Sequence, residues 1–320
     1  MPRIILLRPS LISIGRAMSS QNFRPVFIFL DTDKHASPFD ILMTIDLIPD
    51  VVVLKYEQVT PDDAEKIISD AMFPRGPKGA KFTKVFVNGK DLDTVNAIVD
   101  RIRKRMFPPF ELAVLVDPRG SYTTASAAVL KTLQLSIKLG LGTFEGKTIT
   151  ILAGTGPVGV AAAWLYALEG ASKVIITSRE LSRSQRVASL INSELKVNKV
   201  MGVEARSPEQ VGEAIKDSEI VLSVGAPGVT LLPFNILKNY GKKVRIVADV
   251  NAIPPYGIEG IDPNMDGKEI TPGVFGIGAL VIGVLKNNIE AELIKKALSE
   301  PKGVFDFRAA YDIGKSLFIK

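Results

Sequence analysis

The pattern of apolar and polar positions divides most of the chain into short apolar runs that alternate with helix-forming segments. The runs are rich in Val, Ile and Phe and end in turn-forming residues, which is typical of buried strands. Strands are predicted at residues 26–30, 51–54, 84–87 and 111–116 in the first half, and at 148–153, 173–177, 199–203, 219–224 and 244–249 in the second. Because helical segments separate these strands, the pattern predicts mostly parallel α/β sheets.

Several helix boundaries carry ordinary start signals. Thr60 stands before Pro61 and a pair of acidic residues, which predicts a helix with Thr60 as its N-cap. Further helices are predicted at residues 91–105, 123–139, 157–169 and 182–193, with a loop around residues 76–79. After about residue 275 the pattern becomes helical, with segments at 279–285, 290–298 and 309–320. These last helices are expected to pack back on the first half of the chain.

This order of elements predicts two domains. Residues 21–142 together with about 276–320 form an α/β domain for the substrate, and residues 143–275 form a Rossmann-type domain with a parallel sheet. Residues 1–20 contain several arginines and no acidic residue, and we interpret them as an N-terminal extension, expected to be disordered.

A glycine-rich turn follows the strand at 148–153. Gly154, Gly156 and Gly159 have the G-x-G-x-x-G spacing, and an alanine-rich helical segment begins directly after them. In this interpretation Gly154 permits a tight turn, Gly156 lets backbone amides approach a pyrophosphate, and Gly159 lets helix and strand pack closely. The predicted cofactor site also includes Thr155, Pro157 and Val158 of the turn and Gly225 and Ala226 after a later strand. The alternative is a strand, turn and helix without a ligand.

The end of the following strand favours NADP over NAD. An NAD site has an acidic residue there to hold the ribose 2′-hydroxyl. Here the position falls on Thr177 or Ser178, Arg179 follows, and Arg183 lies in the next turn. A hydroxyl and a cation suit a 2′-phosphate. Alternatively, Arg179 is an ordinary surface cation.

Composition narrows the possible chemistry. The 320 residues include no cysteine and one histidine, so thiolate nucleophiles and disulfides are excluded and we expect no metal site. The net charge is +6, but the sequence contains no recognisable nucleic-acid-binding motif, and no apolar run is long enough to span a membrane. We therefore expect a cytoplasmic protein that binds neither nucleic acid nor membrane, with a basic surface that is incidental or attracts an anionic ligand.

Acidic residues follow two predicted strands of the first domain. Asp31 and Asp33 come after the strand at 26–30, and Asp117 comes after the strand at 111–116. Ligands of parallel sheets bind beyond the carboxyl ends of the strands, so these carboxylates are candidates for substrate binding. The alternative for Asp31 and Asp117 is that they cap helices.

Two segments resemble one enzyme family. Residues 153–159 and residues 247–262, which read Val-Ala-Asp-Val-Asn-Ala-Ile-Pro-Pro-Tyr-Gly-Ile-Glu-Gly-Ile-Asp, are similar to the NADP-dependent methylene-tetrahydromethanopterin dehydrogenases, some of which also accept methylene-tetrahydrofolate. Further similarities are Asp31-Thr32-Asp33, Phe39-Asp40, residues 59–62, residues 303–306, and Asp117 followed by Gly120-Ser121 and Thr123-Thr124. The resemblance implies a two-domain enzyme with the pterin in its cleft, and a homo-oligomer. The chain departs from the family pattern at residues 118, 119 and 122.

The resemblance also implies roles for individual residues. Lys286 and Asp33 are the expected catalytic residues, with Lys286 helping to position the pterin, although it could equally be a solvated helix lysine. Asp31, Asp117, Ser121 and Asn251 are the expected substrate-binding residues, although Asn251, after the last Rossmann strand, could face the nicotinamide instead of the pterin. Hydride transfer from a methylene carbon between two nitrogens needs positioning rather than a general base, which suits this composition.

Two other functions stay open. One is another two-domain NADP-dependent dehydrogenase, similar to shikimate dehydrogenases or to the methylene-folate dehydrogenase/cyclohydrolases. The chain lacks the Tyr-x-x-x-Lys pair of the latter between residues 26 and 142, so cyclohydrolase activity is not expected. The other is a non-catalytic NADP-binding sensor, against which the acidic residues of the first domain argue.

Overall fold

The computed structural model describes residues 23–318, so the predicted N-terminal extension at residues 1–20 lies outside the described residues. The strands are β1 (Val26–Asp31), β2 (Val52–Tyr56), β3 (Thr83–Asn88), β4 (Ala113–Val116), β5 (Thr148–Leu152), β6 (Lys173–Ser178), β7 (Val200–Glu204), β8 (Ile220–Ser223), β9 (Ile246–Asp249), β10 (Asp266–Thr271), β11 (Val274–Ile277) and β12 (Gly303–Phe305). Each strand predicted from the apolar pattern is present, with ends shifted by a few residues at most.

The helices alternate with these strands. They are α1 (Pro38–Leu47), α2 (Pro61–Met72), α3 (Gly76–Ala80), α4 (Leu92–Arg105), α5 (Ser121–Lys138), α6 (Pro157–Leu168), α7 (Leu181–Leu195), α8 (Pro208–Ile215), α9 (Phe234–Tyr240), α10 (Ala279–Ser299) and α11 (Phe307–Phe318). The predicted start of α2 is confirmed, because the Thr60 hydroxyl accepts a hydrogen bond from the Asp63 amide at 3.2 Å. This bond satisfies one of the free amides at a helix start.

The strands form two sheets. The first has the order β12-β4-β3-β1-β2 and is parallel throughout. The second has the order β10-β11-β9-β8-β5-β6-β7, parallel except for the antiparallel pair of β10 and β11. The central strands of both sheets are fully buried, as expected where helices cover both faces. The predicted α/β fold class with a Rossmann-type parallel sheet is confirmed.

The C-terminal elements return to the first sheet, as predicted. β12 pairs with β4, and α10 and α11 both pack on α5. Helix α5 also packs on α6 of the second sheet. It therefore connects the two halves in space as well as along the chain.

Two local predictions were wrong, and two further elements were not predicted. Residues 76–79 form the short helix α3 rather than a loop, and the two helices predicted at 279–285 and 290–298 are the single helix α10. The hairpin of β10 and β11 and the short strand β12 were not predicted. β10 is polar and largely exposed, and β12 has three residues, so neither has the apolar pattern by which strands were found.

Candidate functional site

The predicted glycine loop lies between β5 and α6, at the carboxyl edge of the second sheet. β5 stands between β8 and β6, and the chain continues from β5 towards one side and from β8 towards the other. Such a reversal of strand order is where open α/β sheets bind their ligands. The loop after β8, with Gly225 and Ala226, and the turn after β6, with Ser178 and Arg179, end at this same edge.

The tight turn of the loop is made by Ala153 rather than Gly154. Ala153 has a φ of 55°, in the left-handed region, and its amide donates to the Thr177 hydroxyl at 2.9 Å. Gly154 serves close packing instead, since a Cβ there would stand 2.8 Å from the Ile151 Cγ2 and 3.0 Å from the Ile176 Cγ2. The role predicted for Gly154 is therefore corrected, while its place in the loop is as expected.

Gly156 and Gly159 have the environments that the fingerprint requires. A Cβ on Gly159 would collide with the backbone of Gly154, so this glycine allows helix and strand to approach closely. A Cβ on Gly156 would have no neighbour within 4 Å among residues 23–318, and Gly156 is the N-cap of α6 without a side-chain capping bond. The start of α6 thus offers amides and open space to an anionic group, which fits a pyrophosphate.

The residues predicted to select the cofactor lie after β6. Arg179 and Arg183 are exposed, the latter in the first turn of α7. Ser178 is mostly buried, and its hydroxyl accepts from the Glu180 amide at 3.2 Å; with no acceptor for it in the described part of the chain, the hydroxyl proton can donate to a ligand. A hydroxyl donor and two cations therefore stand at this turn, close to the glycine loop across the β5–β6 pair.

Asn251 follows β9 and has an unsatisfied amide. Its side chain is buried, and its Nδ2 group has no hydrogen-bond partner among the described residues. The Asn251 backbone amide donates to Asp249 at 3.1 Å, which fixes the turn. Burial raises the pKa of the Asp249 carboxyl, although the amides of Asn251 and Ile258 lower it. Because an unpaired buried donor is costly, Asn251 is a sound candidate for a ligand contact.

The first sheet carries the acidic residues at its own carboxyl edge. Arg119 binds Asp33 at 2.6 Å and Asp31 at 3.2 Å, and it also donates to the carbonyl of His35 at 2.7 Å. Asp31 is almost fully buried and accepts from the amides of Asp33 and Ser37, so it holds the loop after β1. Burial raises the pKa of Asp31, while the Asp33 amide and Arg119 oppose this effect. Asp31 therefore has a structural role in this loop, which differs from the helix cap named as its alternative.

Asp117 caps helix α5. Its Oδ1 accepts from the Tyr122 amide at 2.8 Å, and its Oδ2 accepts from the Thr123 hydroxyl at 2.7 Å. The residue is fully buried, and burial raises its pKa to about 6 against the opposing effects of Thr123 and Lys286. Since both oxygens are engaged, the geometry favours the capping alternative over a substrate contact. Ser121 is the buried first residue of the same helix.

Lys286 lines a cavity of about 250 Å³ at this edge. The other lining residues are Ser37, Phe39, Asp40, Arg119 and Gly120. The Lys286 ammonium group lies 4.1 Å from the centre of the Phe39 ring and forms an ion pair with Glu290, one turn along α10. The Lys286 side chain is 13% exposed, so it is a cavity residue rather than a solvated helix lysine.

Sequence reasoning did not assign roles to Arg119, Asn88, Asp40 or Glu290. Asn88 connects the network, since it accepts from the Arg119 amide at 2.7 Å and donates to Asp40 at 2.6 Å. A Lys-x-x-x-Glu spacing within a helix was visible in the sequence for Lys286 and Glu290. The helix itself was predicted to break between them, which hid the pair.

Two kinds of site are not found in the described part of the chain. Among residues 23–318 no group of three or more His, Asp or Glu side chains could hold a metal ion. Within the same range no helix is both long and apolar enough to cross a membrane.

Comparison with known proteins identifies relatives along nearly the whole chain. A family model described as "Methylene-tetrahydromethanopterin dehydrogenase, N-terminal" matches residues 38–119. The "Bifunctional protein MdtA" of Methylorubrum extorquens is 37% identical over 287 residues, which cover 90% of this chain and 96% of that protein. The "NAD(P)-dependent methylenetetrahydromethanopterin dehydrogenase" of the same organism is 34% identical over 293 residues, which cover 91% and 97%.

Solved structures share the fold at much lower identity. Shikimate 5-dehydrogenase from Listeria monocytogenes, solved with shikimate and NAD, has a TM-score of 0.54 and 17% identity, covering 94% of this chain and 98% of that one. The 5-ketofructose reductase of Gluconobacter sp. strain CHM43 has a TM-score of 0.51 and 16% identity, covering 93% and 100%. These similarities support the fold alone. The identity to the two Methylorubrum proteins shows more: the chain belongs to the methylene-tetrahydromethanopterin dehydrogenase family.

Proposed function

We propose that this protein is an NADP-dependent dehydrogenase that oxidises the methylene form of a tetrahydropterin one-carbon carrier, tetrahydromethanopterin or tetrahydrofolate, to the methenyl form. One observation carries the proposal. In a chain of this family, the start of α6 is open to a pyrophosphate at Gly156, and the other domain has a cavity lined by Lys286. The relative described as NAD(P)-dependent supports a nicotinamide dinucleotide as the cofactor.

The reaction requires a hydride acceptor and a carrier held in line with it. The nicotinamide, when bound, supplies the acceptor. The cation that forms on the carrier is delocalised over two nitrogens, so the protein has no proton to remove from the reacting carbon. Its residues therefore act by orientation and electrostatics, which can lower the activation barrier by several kcal/mol.

Lys286 and Asp33 are the residues that we assign to the pterin. The Lys286 ammonium group stands at the cavity wall, and Asp33, about one-fifth exposed, is the acidic residue of the β1 loop that a ligand can reach. A carboxylate pairs well with adjacent N–H donors such as those of a pterin ring. Arg119 holds Asp33 in place and occupies one of its oxygens, so a bound pterin shares Asp33 with Arg119 or displaces it. Asp31 and Asp117 support the site indirectly: Asp31 holds the loop after β1, and Asp117 holds the start of α5.

We assign NADP rather than NAD as the preferred cofactor because of the turn after β6. Arg179 and Arg183 are exposed cations there, and Ser178 keeps a free hydroxyl proton. The carboxylate closest to this turn along the chain is Glu180, the N-cap residue of α7, and Glu204 pairs with Ser178 on the neighbouring strand β7. Two arginines and a hydroxyl suit a ribose 2′-phosphate better than a 2′-hydroxyl.

A single absorbance assay tests the function. Purified protein is mixed with NADP and either methylene-tetrahydromethanopterin or methylene-tetrahydrofolate, and NADPH formation is followed at its absorbance maximum. We expect NADPH with at least one carrier. Shikimate and NADP form a parallel reaction that tests the dehydrogenase alternative suggested by the fold. NADP binding without oxidation of any of these substrates would instead favour the sensor.

A further inference from the structure

Lys286 presents an electrostatic problem for the proposed reaction. The methylene carrier has no charge at its reacting carbon, and the methenyl product carries one positive charge there. An isolated ammonium group on the cavity wall would repel that charge and disfavour the product. The surroundings of Lys286 therefore determine whether the site tolerates the cation.

Glu290 is the closest compensating group. It lies one turn after Lys286 on α10, and its Oε2 forms the ion pair with the Lys286 ammonium. Glu290 is fully buried, and its Oε1 has no hydrogen-bond partner among the described residues. A buried carboxyl with a free oxygen is costly to stability, so its presence beside a cavity lysine calls for a function.

On the basis of the proposed function, we propose that Glu290 is a positioning residue for Lys286: it holds the ammonium group at the cavity wall and sets, through its own charge, how strongly the site binds the cationic methenyl carrier relative to the neutral methylene carrier. Glu290 does not need to touch the substrate for this role. An ionised Glu290 cancels the charge of Lys286, whereas a protonated Glu290 leaves that charge uncompensated.

Burial, together with the charges around Glu290, makes both of its protonation states accessible near neutral pH. Those that act on it most strongly are Lys286 on the same helix, Asp117 after β4 and Asp40 on α1. Burial raises the pKa of Glu290 to about 8, Lys286 lowers it, and Asp117 and Asp40 raise it further. As the pH rises through this value, Glu290 ionises and the site should bind the methenyl cation more tightly.

The reaction itself does not obscure this dependence on pH. The C–H bond of the methylene group breaks, both electrons and the hydrogen pass to the nicotinamide of NADP, and the carrier is left as the cation. Neither direction takes up or releases a proton at the reacting carbon. A pH-dependent ratio of the two KM values therefore reports the charge of the protein site.

The experiment compares Glu290→Gln with the wild type and with two controls. KM is measured for the methylene carrier in the forward direction and for the methenyl carrier in reverse, from about pH 6.5 to 9.5, a window that spans the Glu290 pKa. Glu292→Gln is the matched control, because Glu292 forms an exposed pair with Lys295 at 2.9 Å on the same helix. Glu290→Asp keeps the charge and tests rescue.

In the wild type we expect the methenyl KM to fall on the order of fivefold relative to the methylene KM as the pH rises. Glu290→Gln should abolish this trend, while Glu292→Gln and Glu290→Asp should retain it. An equal loss for both carriers, or an unchanged trend in Glu290→Gln, would show that Glu290 is only structural. A wild type inactive with both carriers would overturn the proposed function and this inference with it.

A second readout does not depend on catalysis. Lys286 is labelled with an amine-reactive acetyl donor, and the modified peptide is quantified by mass spectrometry. Because Glu290 holds the ammonium group, Glu290→Gln should raise the rate of Lys286 labelling several-fold, whereas Glu292→Gln should leave it unchanged. Equal rates in all three proteins would contradict the positioning contact even if the KM values changed.

Discussion

Arg179 is the single residue on which the choice of cofactor depends most. It follows β6 next to the buried Ser178 and is exposed to a ligand at the carboxyl edge of the sheet. Replacing Arg179 with Ala should weaken NADP binding by about 1.5–3 kcal/mol, the range for a hydrogen bond to a charged group, and leave NAD nearly unchanged. Fluorescence titration with both dinucleotides measures this. Wild-type protein that binds NAD as tightly as NADP would contradict the assignment.

Asp33 and Lys286 should affect the carrier rather than the cofactor. Asp33 follows β1 of the first sheet and Lys286 lies on α10, whereas the glycine loop follows β5 of the second sheet. We expect Asp33→Ala and Lys286→Ala to lower kcat and raise KM for the methylene carrier, because a loosely held carrier loses alignment. NADP affinity should stay within about threefold, less than ~0.7 kcal/mol. Full activity in both variants would refute their assignment and direct attention to Asn251.

Asp117 should make stability depend on pH. Its pKa is raised from 3.8 in the unfolded chain to about 6 in the fold, so the folded state binds this proton more tightly. The resulting stabilisation is full below pH 3.8 and is lost as the pH rises through about 6. Asp117→Asn removes this titration and can still accept from the Tyr122 amide. As the pH rises between these values, the free energy of unfolding measured in urea should increase for the variant relative to the wild type, by on the order of 2–3 kcal/mol. A constant difference would contradict the shift.

Sequence reasoning identified most of these residues but not what their side chains do. Asp31 and Asp117 were found because carboxylates followed strands, yet both proved to be bound by backbone amides. Whether such a group faces a ligand or caps a loop depends on distances that no spacing in the sequence encodes. The role of Arg119 is equally invisible in the sequence, because the partners of its side chain lie more than 80 residues away along the chain.

At the scale of elements, the glycine loop and α6 allow the clearest test. Gly156→Val should abolish dinucleotide binding and leave the fold intact, because its Cβ enters open space that the pyrophosphate needs and its φ of −84° suits any residue. Gly159→Ala is the contrasting variant, since its Cβ would collide with Gly154 and should lower the melting temperature. Thermal unfolding and NADP titration of both separate the two effects. A Gly156→Val protein that still binds NADP would reduce the loop to a structural turn.

The elements that sequence predicted well are those with a strong periodic signal. Central strands such as β3 and β5 are buried on both faces, so an apolar run identifies them directly. Helix α10 was split in two because its middle, around Asn287, is polar, although tertiary packing on α5 and α11 keeps it continuous. The β10–β11 pair has a polar outer strand, and only the sheet context gives it a partner.

For the whole molecule, the return of the C-terminal helices to the first sheet was predicted and is confirmed. The side chains that this return brings together were not predicted. α10 brings Lys286 and Glu290 to the carboxyl edge of β4, where Asp117 and Asp40 lie. The site in the first domain thus combines residues from the two ends of the described chain. No local pattern could predict this combination, because it depends on β12 pairing with β4 across a long separation.

The exposed apolar residues on α1 and α10 lead us to expect that the protein self-associates. These helices pack against each other, and Phe39, Leu42, Ile45, Leu280 and Val284 on them are each about half exposed or more. Apolar residues clustered in this way usually mark a contact surface, and a second copy of the chain is the partner that the family resemblance leads us to expect.

We expect the wild type to sediment as a homo-oligomer, and Leu42→Asp combined with Val284→Asp to shift it towards a single chain by placing charges in the contact. Leu168→Asp, at a half-exposed apolar position on α6, is the control and should not change the mass. Because Leu42 and Val284 are more than half exposed, the substitutions should leave the melting temperature of the isolated chain nearly unchanged, so a loss of mass without a loss of fold assigns the effect to the surface. A wild type that stays a single chain at micromolar concentration would show instead that this face is free in solution.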